Sequence, residues 1–428
     1  MSRATIDLVE AAAEIGEALC RSAYWHEDRC NWIGRSTDEL KGPGMPLTPT
    51  VTALGPTLYA GTAGIALFLA ELFARTESDE AGATARGAIR HSLARSGEIA
   101  PPLRRAFYSG LVGIGYAATE VGARTDDPQI VAEGIQRAEQ AIDAHDERSL
   151  LDVIGGNAGA VGPLIRLATV TDSDRLRGAV STLAEELATS AIRSEATWCW
   201  ENDRACGPGM GATPLCGFAH GASGMGLALV EAGVHSGRDD FVDGGLAAYR
   251  YEDELYDTEA ENWPDLRELE GDGNGQSTTV RKSMMVAWCH GAAGIGLARL
   301  RAYELLPKRR TDLREGIARA VQSTTAQLRA LPQEIDASFC HGRAGLAETL
   351  LYATEVLNDP VHADEVKTMW RRLLKSRKPD APWPCGVASG TNNPSLMLGY
   401  AGIGLALLRA DDSTTTSSAL IVAGSNRA

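Results

Sequence analysis

Apolar residues recur at helical spacing directly after a short glycine phrase that the chain repeats seven times. After the first copy these residues are Ile65, Leu67, Phe68, Leu69 and Leu72, and similar runs follow the fifth and last copies. Because such runs are apolar on several sides, they are typical of helices that are buried all round. The stretches between them, such as 174–193 and 310–329, are amphipathic and charged. The pattern therefore predicts buried inner helices that alternate with amphipathic outer helices.

The glycine phrase consists of two glycines separated by two residues. Its first glycine is Gly61, Gly110, Gly156, Gly221, Gly291, Gly342 and Gly399 in the seven copies. Each interval has room for two helices with their connections, and convincing strand alternation is almost absent. Seven helix pairs predict an all-α fold, an α/α toroid of seven inner and seven outer helices. An open solenoid is the alternative, but the strongly apolar inner helices favour a closed ring.

Glycine at a helix start permits a tight loop and close packing of the next turn. If all inner helices begin at one end of the ring, seven helix N-termini point toward one mouth. Their partial positive charges would favour an anion there, such as a thiolate or an enolate. Two segments, 198–214 and 257–279, depart from the repeat and are expected at the rim of this mouth.

The repeat runs through most of the chain, and no linker divides it. We therefore expect a single domain over residues 1–410. Residues 411–428 are rich in Ser and Thr after two aspartates, and this composition predicts a disordered tail.

The net charge of −15 narrows the function classes. Without a basic stripe it argues against a nucleic-acid partner, and it permits a cationic peptide, although an acidic balance more often serves solubility alone. Acidic residues within the first 20 positions argue against a secretory signal, and no apolar run reaches the ~18 residues of a membrane span. We expect a cytoplasmic protein in which the eight cysteines are reduced. In that setting, cysteines that are paired with histidines favour metal binding or catalysis over disulfide formation.

Two of the repeats carry potential metal ligands directly before the glycine phrase. Cys289 precedes the fifth inner helix, and Cys340 and His341 precede the sixth, its neighbour in a ring. Two thiolates and one imidazole suit Zn²⁺, and three protein ligands leave a fourth position open, as in catalytic sites. A single cysteine is more often buried filler. Two Cys-His-Gly phrases at equivalent repeat positions favour the metal.

Three further residues are candidates for the same mouth. His220 precedes the fourth inner helix and could be a fourth ligand, a general acid/base or a helix cap; a histidine near a metal favours proton transfer. Asp152, before the third inner helix, could orient a histidine or carry protons, but an aspartate there is equally often a cap. His290 either lines the site or faces the neighbouring repeat.

Taken together, these phrases resemble the lanthionine synthetase C-like family, the cyclases of lanthipeptide biosynthesis. The resemblance extends from about Asn31 to Arg409. Its most specific parts are Gly217-Phe-Ala-His-Gly221, Trp288-Cys-His-Gly-Ala-Ala-Gly294, Phe339-Cys-His-Gly342 and Leu396-Met-Leu-Gly-Tyr-Ala-Gly-Ile403. Residues 31–34, 58–68 and 261–267 look closest to the cyclase half of class II synthetases, which carry a dehydratase ahead of it. Since the chain starts at Met1 without one, we expect a stand-alone cyclase.

The resemblance implies that Cys289, Cys340 and His341 bind Zn²⁺ and that His220 and Asp152 transfer protons. A substrate Cys thiol would take the open position and add to the β-carbon of a dehydroalanine or dehydrobutyrine in the same peptide. The product would be a (methyl)lanthionine thioether ring. The implied partners are a dehydrated precursor peptide and a separate dehydratase. Some family members place an arginine shortly before the first cysteine ligand, whereas residues 283–288 contain none here.

Three alternatives remain open at this stage. An enzyme of the same fold could add another thiol, such as glutathione, to dehydroamino acids, and the genetic neighbourhood would discriminate the two. A non-catalytic peptide-binding partner of a biosynthetic complex would have no need of an open metal site. A toroidal carbohydrate enzyme would need a carboxylate pair at the mouth, and only Asp152 holds a repeat-equivalent place.

Overall fold

The computed structural model describes residues 7–36, 50–144, 146–267, 283–332, 335–378, 381–387 and 393–422. The helices within these ranges are α1 (Leu8–Ser22), α2 (Thr62–Thr76), α3 (Asp79–Arg95), α4 (Leu111–Arg124), α5 (Pro128–Asp143), α6 (Asn157–Thr171), α7 (Asp174–Thr189), α8 (Asn202–Ala205), α9 (Ala222–Ser236), α10 (Asp239–Asp253), α11 (Ala292–Leu305), α12 (Arg310–Ala330), α13 (Arg343–Leu357), α14 (Val361–Ser376) and α15 (Tyr400–Asp411). Three short antiparallel pairs join β1 (Tyr24–His26) to β2 (Arg29–Asn31), β3 (Ile33–Ser36) to β4 (Thr50–Ala53) and β5 (Ile192–Arg193) to β6 (Trp198–Cys199).

The helices form two concentric layers. The inner layer contains α2, α4, α6, α9, α11, α13 and α15; each packs against the next, and α15 packs against α2. In the outer layer, α3, α5, α7, α10, α12 and α14 each pack on the inner helix that precedes them, and α1 packs on α15. The contact between α15 and α2 closes the ring. The structure therefore confirms the predicted α/α toroid, because an open solenoid would leave these two helices apart.

Burial follows the pattern of apolar positions. Residues 222–233 of α9 and 292–303 of α11 are buried on every side. The outer helix α5 buries one face only, formed by Ile130, Gly134, Ala138 and Ala141. None of the described helices is long and apolar enough to cross a bilayer.

The two layers begin their helices in different ways. Four outer helices begin at side-chain caps that accept a backbone N–H of the first turn: Asp7, Ser78, Asp127 and Ser173. The inner helices begin at the first glycine of each repeat, which offers no side chain. In six of the seven copies a carbonyl of the preceding loop takes over this role, as where Leu111 N donates to Arg104 O (2.9 Å) and Ala222 N to Leu215 O (3.0 Å); at α11 the side chain of Asn262 does so. The loop before each inner helix is thereby folded back onto its first turn.

The second glycine of the phrase is explained by this folded-back loop. In all seven copies a Cβ would overlap the carbonyl oxygen of the residue six positions earlier, as for Gly113 against Phe107 and Gly294 against Trp288. Close approach of backbone to backbone therefore requires glycine here. The sequence repeat is the signature of one loop conformation used seven times.

The chain beyond residue 410 differs from the expected disordered tail. Asp411 ends α15, and the C-terminal segment (residues 412–422) folds back against the barrel, where Tyr108 Oη donates to Ala419 O (2.9 Å). Leu420 and Ile421 are buried. The Ser/Thr-rich composition predicted disorder, but the apolar residues 419–422 bury enough surface to hold the segment. Residues 423–428 lie outside the described residues, and the single-domain prediction for 1–410 stays a prediction.

Candidate metal centre and active site

The loops before the inner helices are joined by backbone hydrogen bonds that run around the mouth of the barrel. The bonds are Val153 N to Ala219 O, Ala219 N to Cys289 O, Cys289 N to Cys340 O, Cys340 N to Met397 O, Met397 N to Tyr59 O and Tyr59 N to Tyr108 O, at 2.9–3.2 Å. All seven inner helices therefore begin at this one end. Cys289 and Cys340 occupy the same position of adjacent loops, so the backbone alone brings their side chains together.

These two cysteines and His341 form a compact group. The two Sγ atoms and a ring nitrogen of His341 lie within 4.8 Å of one another. Both cysteines are buried, whereas His341 faces the solvent at the mouth. Among the described residues, no other three His, Cys, Asp or Glu side chains converge in this way. The structure brings together the three residues for which the sequence predicts a metal site.

The His341 ring is oriented by groups on its far side. Its Nε2 lies 2.9 Å from Gly386 O and 3.2 Å from Asp336 Oδ2, which leaves Nδ1 for the two sulfur atoms. A side chain at Gly386 would press on this ring, because its Cβ would lie 2.9 Å from Nε2. A histidine whose second nitrogen donates to a carboxylate and a carbonyl has its tautomer and direction fixed for metal binding.

The electrostatics of the group favour a shared negative charge. The hydrogen bond with Cys340 lowers the pKa of the Cys289 thiol against the effect of burial, and the positive charge of Arg267 lowers it further. The same hydrogen bond, together with burial, raises the pKa of Cys340. Burial lowers the pKa of His341, but Cys340 and Asp336 outweigh it and bring this pKa to about 9. The lowered pKa of Cys289 and the raised pKa of His341 both favour a thiolate beside an imidazolium.

His220 and Asp152 form a hydrogen-bonded pair next to this group. His220 Nδ1 lies 2.6 Å from Oδ2 of the buried Asp152, whose Oδ1 accepts from Gly155 N (2.8 Å). His220 directly follows Ala219, which is hydrogen-bonded to Cys289, so the pair lies one loop away from the cysteines. With Nδ1 bound by the carboxylate, Nε2 is the nitrogen that can exchange protons.

His290 is buried beside His220, and its role as a residue that lines the site stays a prediction. Its ring is 2% exposed and is centred 5.9 Å from the His220 ring. Burial and the charge of Arg267 lower the pKa of His290 to about 3, so the ring is neutral. Among the described residues, its Nδ1 has no hydrogen-bond partner, and Asp265 approaches it only to 4.0 Å.

Sequence reasoning missed two residues of this region, Asp336 and Arg267. Asp336 precedes Cys340 by four positions and holds His341. Arg267 lies in the segment 257–279 that departs from the repeat, of which residues 257–267 are described. Its positive charge interacts with the thiols of Cys289 and Cys340. The available signals were weak: an acidic residue within a ligand-bearing loop and an Asp-Leu-Arg triplet within a segment expected at the rim.

Comparison with known proteins yields a family model and several solved structures. The model described as lanthionine synthetase C-like protein matches residues 52–421. A search of curated proteins gave no significant match. Nisin cyclase is similar at 18% identity and a TM-score of 0.58, over 83% of this chain and 89% of that chain. At this identity the similarity shows the fold.

Two further structures are similar at lower scores and carry no functional argument. A protein from Listeria innocua is 10% identical with a TM-score of 0.47, over 96% of this chain and 98% of that one. A family 76 glycoside hydrolase from a bovine Bacteroides thetaiotaomicron strain is 8% identical with a TM-score of 0.48, over 95% of this chain and 78% of that one.

Proposed function

The chain belongs to the lanthionine synthetase C-like family, and on this premise we propose that it is a zinc-dependent peptide cyclase. Its substrate would be a dehydrated precursor peptide, in which it joins Cys thiols to dehydroalanine or dehydrobutyrine to form (methyl)lanthionine rings. A separate dehydratase would supply that peptide. One observation carries the proposal: two buried cysteines and a histidine converge beside a His-Asp pair at the mouth of the barrel.

The donor set fits zinc. Two thiols and one imidazole are the ligands that Zn²⁺ prefers, and a tripod of this kind leaves one position open. The carboxylate on the far side of His341 is a usual second-sphere partner of such a site. Zn²⁺ held by Cys289, Cys340 and His341 would supply a position at which a substrate thiol stays deprotonated near neutral pH.

The proton transfers are assigned to residues of this chain. His220 accepts the proton of the incoming thiol at Nε2, while Asp152 holds the Nδ1–H and stabilises the imidazolium that forms. The sulfur bonds to the β-carbon, the C=C electron pair moves onto the carbonyl as an enolate, and His220 returns the proton to the α-carbon. One S–H bond and one π bond are exchanged for one C–S and one C–H bond.

Mass spectrometry after thiol alkylation tests this function. We expect the zinc-loaded protein to leave the mass of a dehydrated candidate peptide unchanged while removing alkylatable thiols, relative to a sample without enzyme. We also expect about one zinc per chain, which Cys340→Ala should abolish. A zinc-free, fully active preparation would contradict the mechanism. A glutathione adduct would instead favour addition of an external thiol, and an unaltered peptide that still binds would favour the non-catalytic partner.

His220→Asn separates proton transfer from metal binding. We expect this variant to keep its zinc and to lose about 10²- to 10⁴-fold in cyclisation rate, the usual contribution of a general acid/base. His235→Asn is the matched control, because His235 lies in the last turn of α9, the helix that begins next to His220. Unchanged ring formation by the His220 variant would reduce this residue to a structural element of the loop.

A further inference from the structure

The departure from the repeat at residues 257–267, called here the rim loop, is fixed firmly beside the site. The buried Trp263 donates Nε1–H to Glu252 O (2.9 Å) in α10. Cys216 donates its thiol to Pro264 O (2.9 Å), and Asn262 Oδ1 accepts from Ala292 N (3.0 Å) at the first residue of α11. The rim loop is thus anchored to α10, the outer helix of the fourth repeat, and to α11, the inner helix of the fifth repeat. A side chain carried by this loop has a defined place at the mouth.

Arg267 is held within the rim loop by Asp265. Its Nε lies 3.0 Å from Oδ1 and its Nη2 lies 2.6 Å from Oδ2 of this carboxylate, while Arg267 N donates to Oδ1 (3.1 Å). The Asp265 side chain is 3% exposed and that of Arg267 is 25% exposed. Asp265 N also donates to Ser283 O (2.7 Å). A two-pronged pair of this kind fixes the plane of the guanidinium as well as its position.

Asp265, which holds the guanidinium, approaches Nδ1 of His290 to 4.0 Å. Because His290 directly follows Cys289, Arg267 lies in the neighbourhood of the two cysteines. Arg267 acts electrostatically on Cys289 and on Cys340, and both thiols act on Arg267 in return. The side-chain hydrogen bonds from Arg267 to Asp265 use only Nε and Nη2. Nη1 of Arg267 makes no hydrogen bond to any described residue. Arg267 therefore presents a fixed positive charge and unused N–H groups beside the thiols.

We propose that Arg267 is a catalytic residue that binds the carbonyl oxygen of the dehydroamino acid and stabilises the enolate, and that Asp265 is its positioning residue. This inference rests on the proposed cyclisation. As the thiolate sulfur bonds to the β-carbon, the π electrons move onto the carbonyl oxygen, where an Nη1–H of Arg267 donates a hydrogen bond. The proton then reaches the α-carbon from His220, and Arg267 neither gains nor loses one. A preformed donor directed at an oxygen that becomes negative acts mainly on the transition state.

Kinetics of Arg267→Gln and Arg267→Lys test the step. We expect Arg267→Gln to keep zinc and to lose about 100-fold in kcat, with little change in affinity for a peptide that carries alanine in place of dehydroalanine. Arg267→Lys should recover part of the loss, because lysine keeps the positive charge but cannot form the two-pronged pair with Asp265. Arg238→Gln is the matched control, since Arg238 forms the same kind of pair with an aspartate two residues away but lies where α9 meets α10, at the opposite end of the barrel.

A second measurement does not depend on cyclisation. The cobalt-loaded protein is titrated with 3-mercaptopropionate and with the neutral 3-mercapto-1-propanol, and binding is followed by the sulfur-to-cobalt absorption. We expect the wild type to prefer the carboxylate by roughly tenfold, the worth of one charge-assisted hydrogen bond, and Arg267→Gln to lose this preference.

The outcomes distinguish this inference from the proposed function. A wild type that shows the carboxylate preference without closing rings retains the anion site and refutes the cyclase function. Active cyclisation in which Arg267→Gln keeps more than half the wild-type kcat would overturn the role of Arg267. So would the absence of a carboxylate preference in the wild type, or a loss of zinc from both Arg267 variants.

Discussion

The two Cys-His pairs have the same sequence and the same place in the repeat, yet their histidine rings have different hydrogen-bond partners and different exposure. Nε2 of His341 contacts Asp336 and Gly386 O, and this orientation leaves Nδ1 for the sulfur atoms. Among the described residues His290 lacks such contacts, since Asp265 is committed to Arg267, and it is buried as a neutral ring. Whether such a histidine is oriented for metal binding or is buried as a neutral ring therefore depends on neighbours outside the Cys-His phrase.

Asp336 is expected to tune metal affinity. Asp336→Asn should weaken zinc binding by about 10- to 100-fold, because second-sphere carboxylates typically contribute this much through the histidine they orient. Competition with a coloured chelator measures the change. Asp364→Asn, at an exposed carboxylate on α14, is the control. Equal zinc affinity in the two variants would show that Gly386 O alone orients the ring.

His91 is expected to make stability depend on pH. Burial and the charge of Arg95 lower the pKa of His91, whose Nε2 faces the amide of Asn31 (3.1 Å) and whose Nδ1 faces Thr62 Oγ1 (3.0 Å). The unfolded chain takes up a proton near pH 6.5 and the folded chain resists it. The free energy of unfolding should therefore fall as the pH falls below about 6.5.

Denaturant unfolding at a series of pH values checks this sign. In His91→Gln the slope between about pH 6.5 and 5 should be flatter than in the wild type. His26→Gln is the control, because His26 is exposed on β1. A wild-type slope that survives the His91 substitution would assign the effect to other groups.

At the scale of elements, the repeat shows why the inner helices could be located from sequence. Each begins at the first glycine of its phrase, as the pattern predicts. The two glycines and the apolar run are local features. The loop conformation that requires the second glycine involves a carbonyl only six residues earlier in the chain. The outer helices were located only approximately: 174–193 was predicted where α7 ends at Thr189, because β5 follows.

The C-terminal segment packs against the barrel, although its composition predicted disorder. Leu420, Ile421 and Val422 line a small cavity of about 40 Å³ together with Tyr108 and Phe218. Polar contacts add to this: Arg124 donates to Ser417 Oγ (2.9 Å), and Arg409 donates to Thr416 O (2.7 Å). The segment thus belongs to the barrel core and satisfies buried arginines.

Truncation after Asp411 should destabilise the protein. Losing the burial of Leu420 and Ile421 alone is expected to cost roughly 3–6 kcal/mol, at about 1.5–3 kcal/mol for each large apolar side chain. Thermal and denaturant unfolding measure the loss, and a chain that ends at Val422 is the control because it keeps every described contact of the segment. Equal stability of the two chains would show that the segment is peripheral.

The whole molecule is a ring that is closed by helix packing and by backbone hydrogen bonds. Packing of α15 against α2 and the backbone hydrogen bonds around the mouth connect neighbouring repeats, including those that carry Cys289 and Cys340. The metal site joins two loops that the backbone already holds together. A metal bound by Cys289, Cys340 and His341 is therefore expected to add to the stability of the ring rather than to create the fold, unlike the metal of small zinc domains.

Removal of zinc by a chelator tests this view of the ring. We expect the helical circular dichroism of the chelated protein to be retained and its melting temperature to fall by roughly 5–10 °C, as expected for loss of one tightly bound ligand. Cyclisation should cease and return when zinc is restored. Collapse of the helical signal on chelation would show that the metal organises the ring.

The sequence by itself determined the number and order of the inner helices and which of the loops before them carry Asp152, His220, Cys289, Cys340 and His341, because helical periodicity and the glycine phrase are local. Equivalence between repeats was enough to bring Cys289 and Cys340 together. Only the tertiary structure decided what surrounds them. Arg267 and Gly386 reach the site from segments outside the repeat, and the C-terminal segment returns to Tyr108 across most of the chain. Such contacts join residues far apart in sequence, and no periodic pattern records them.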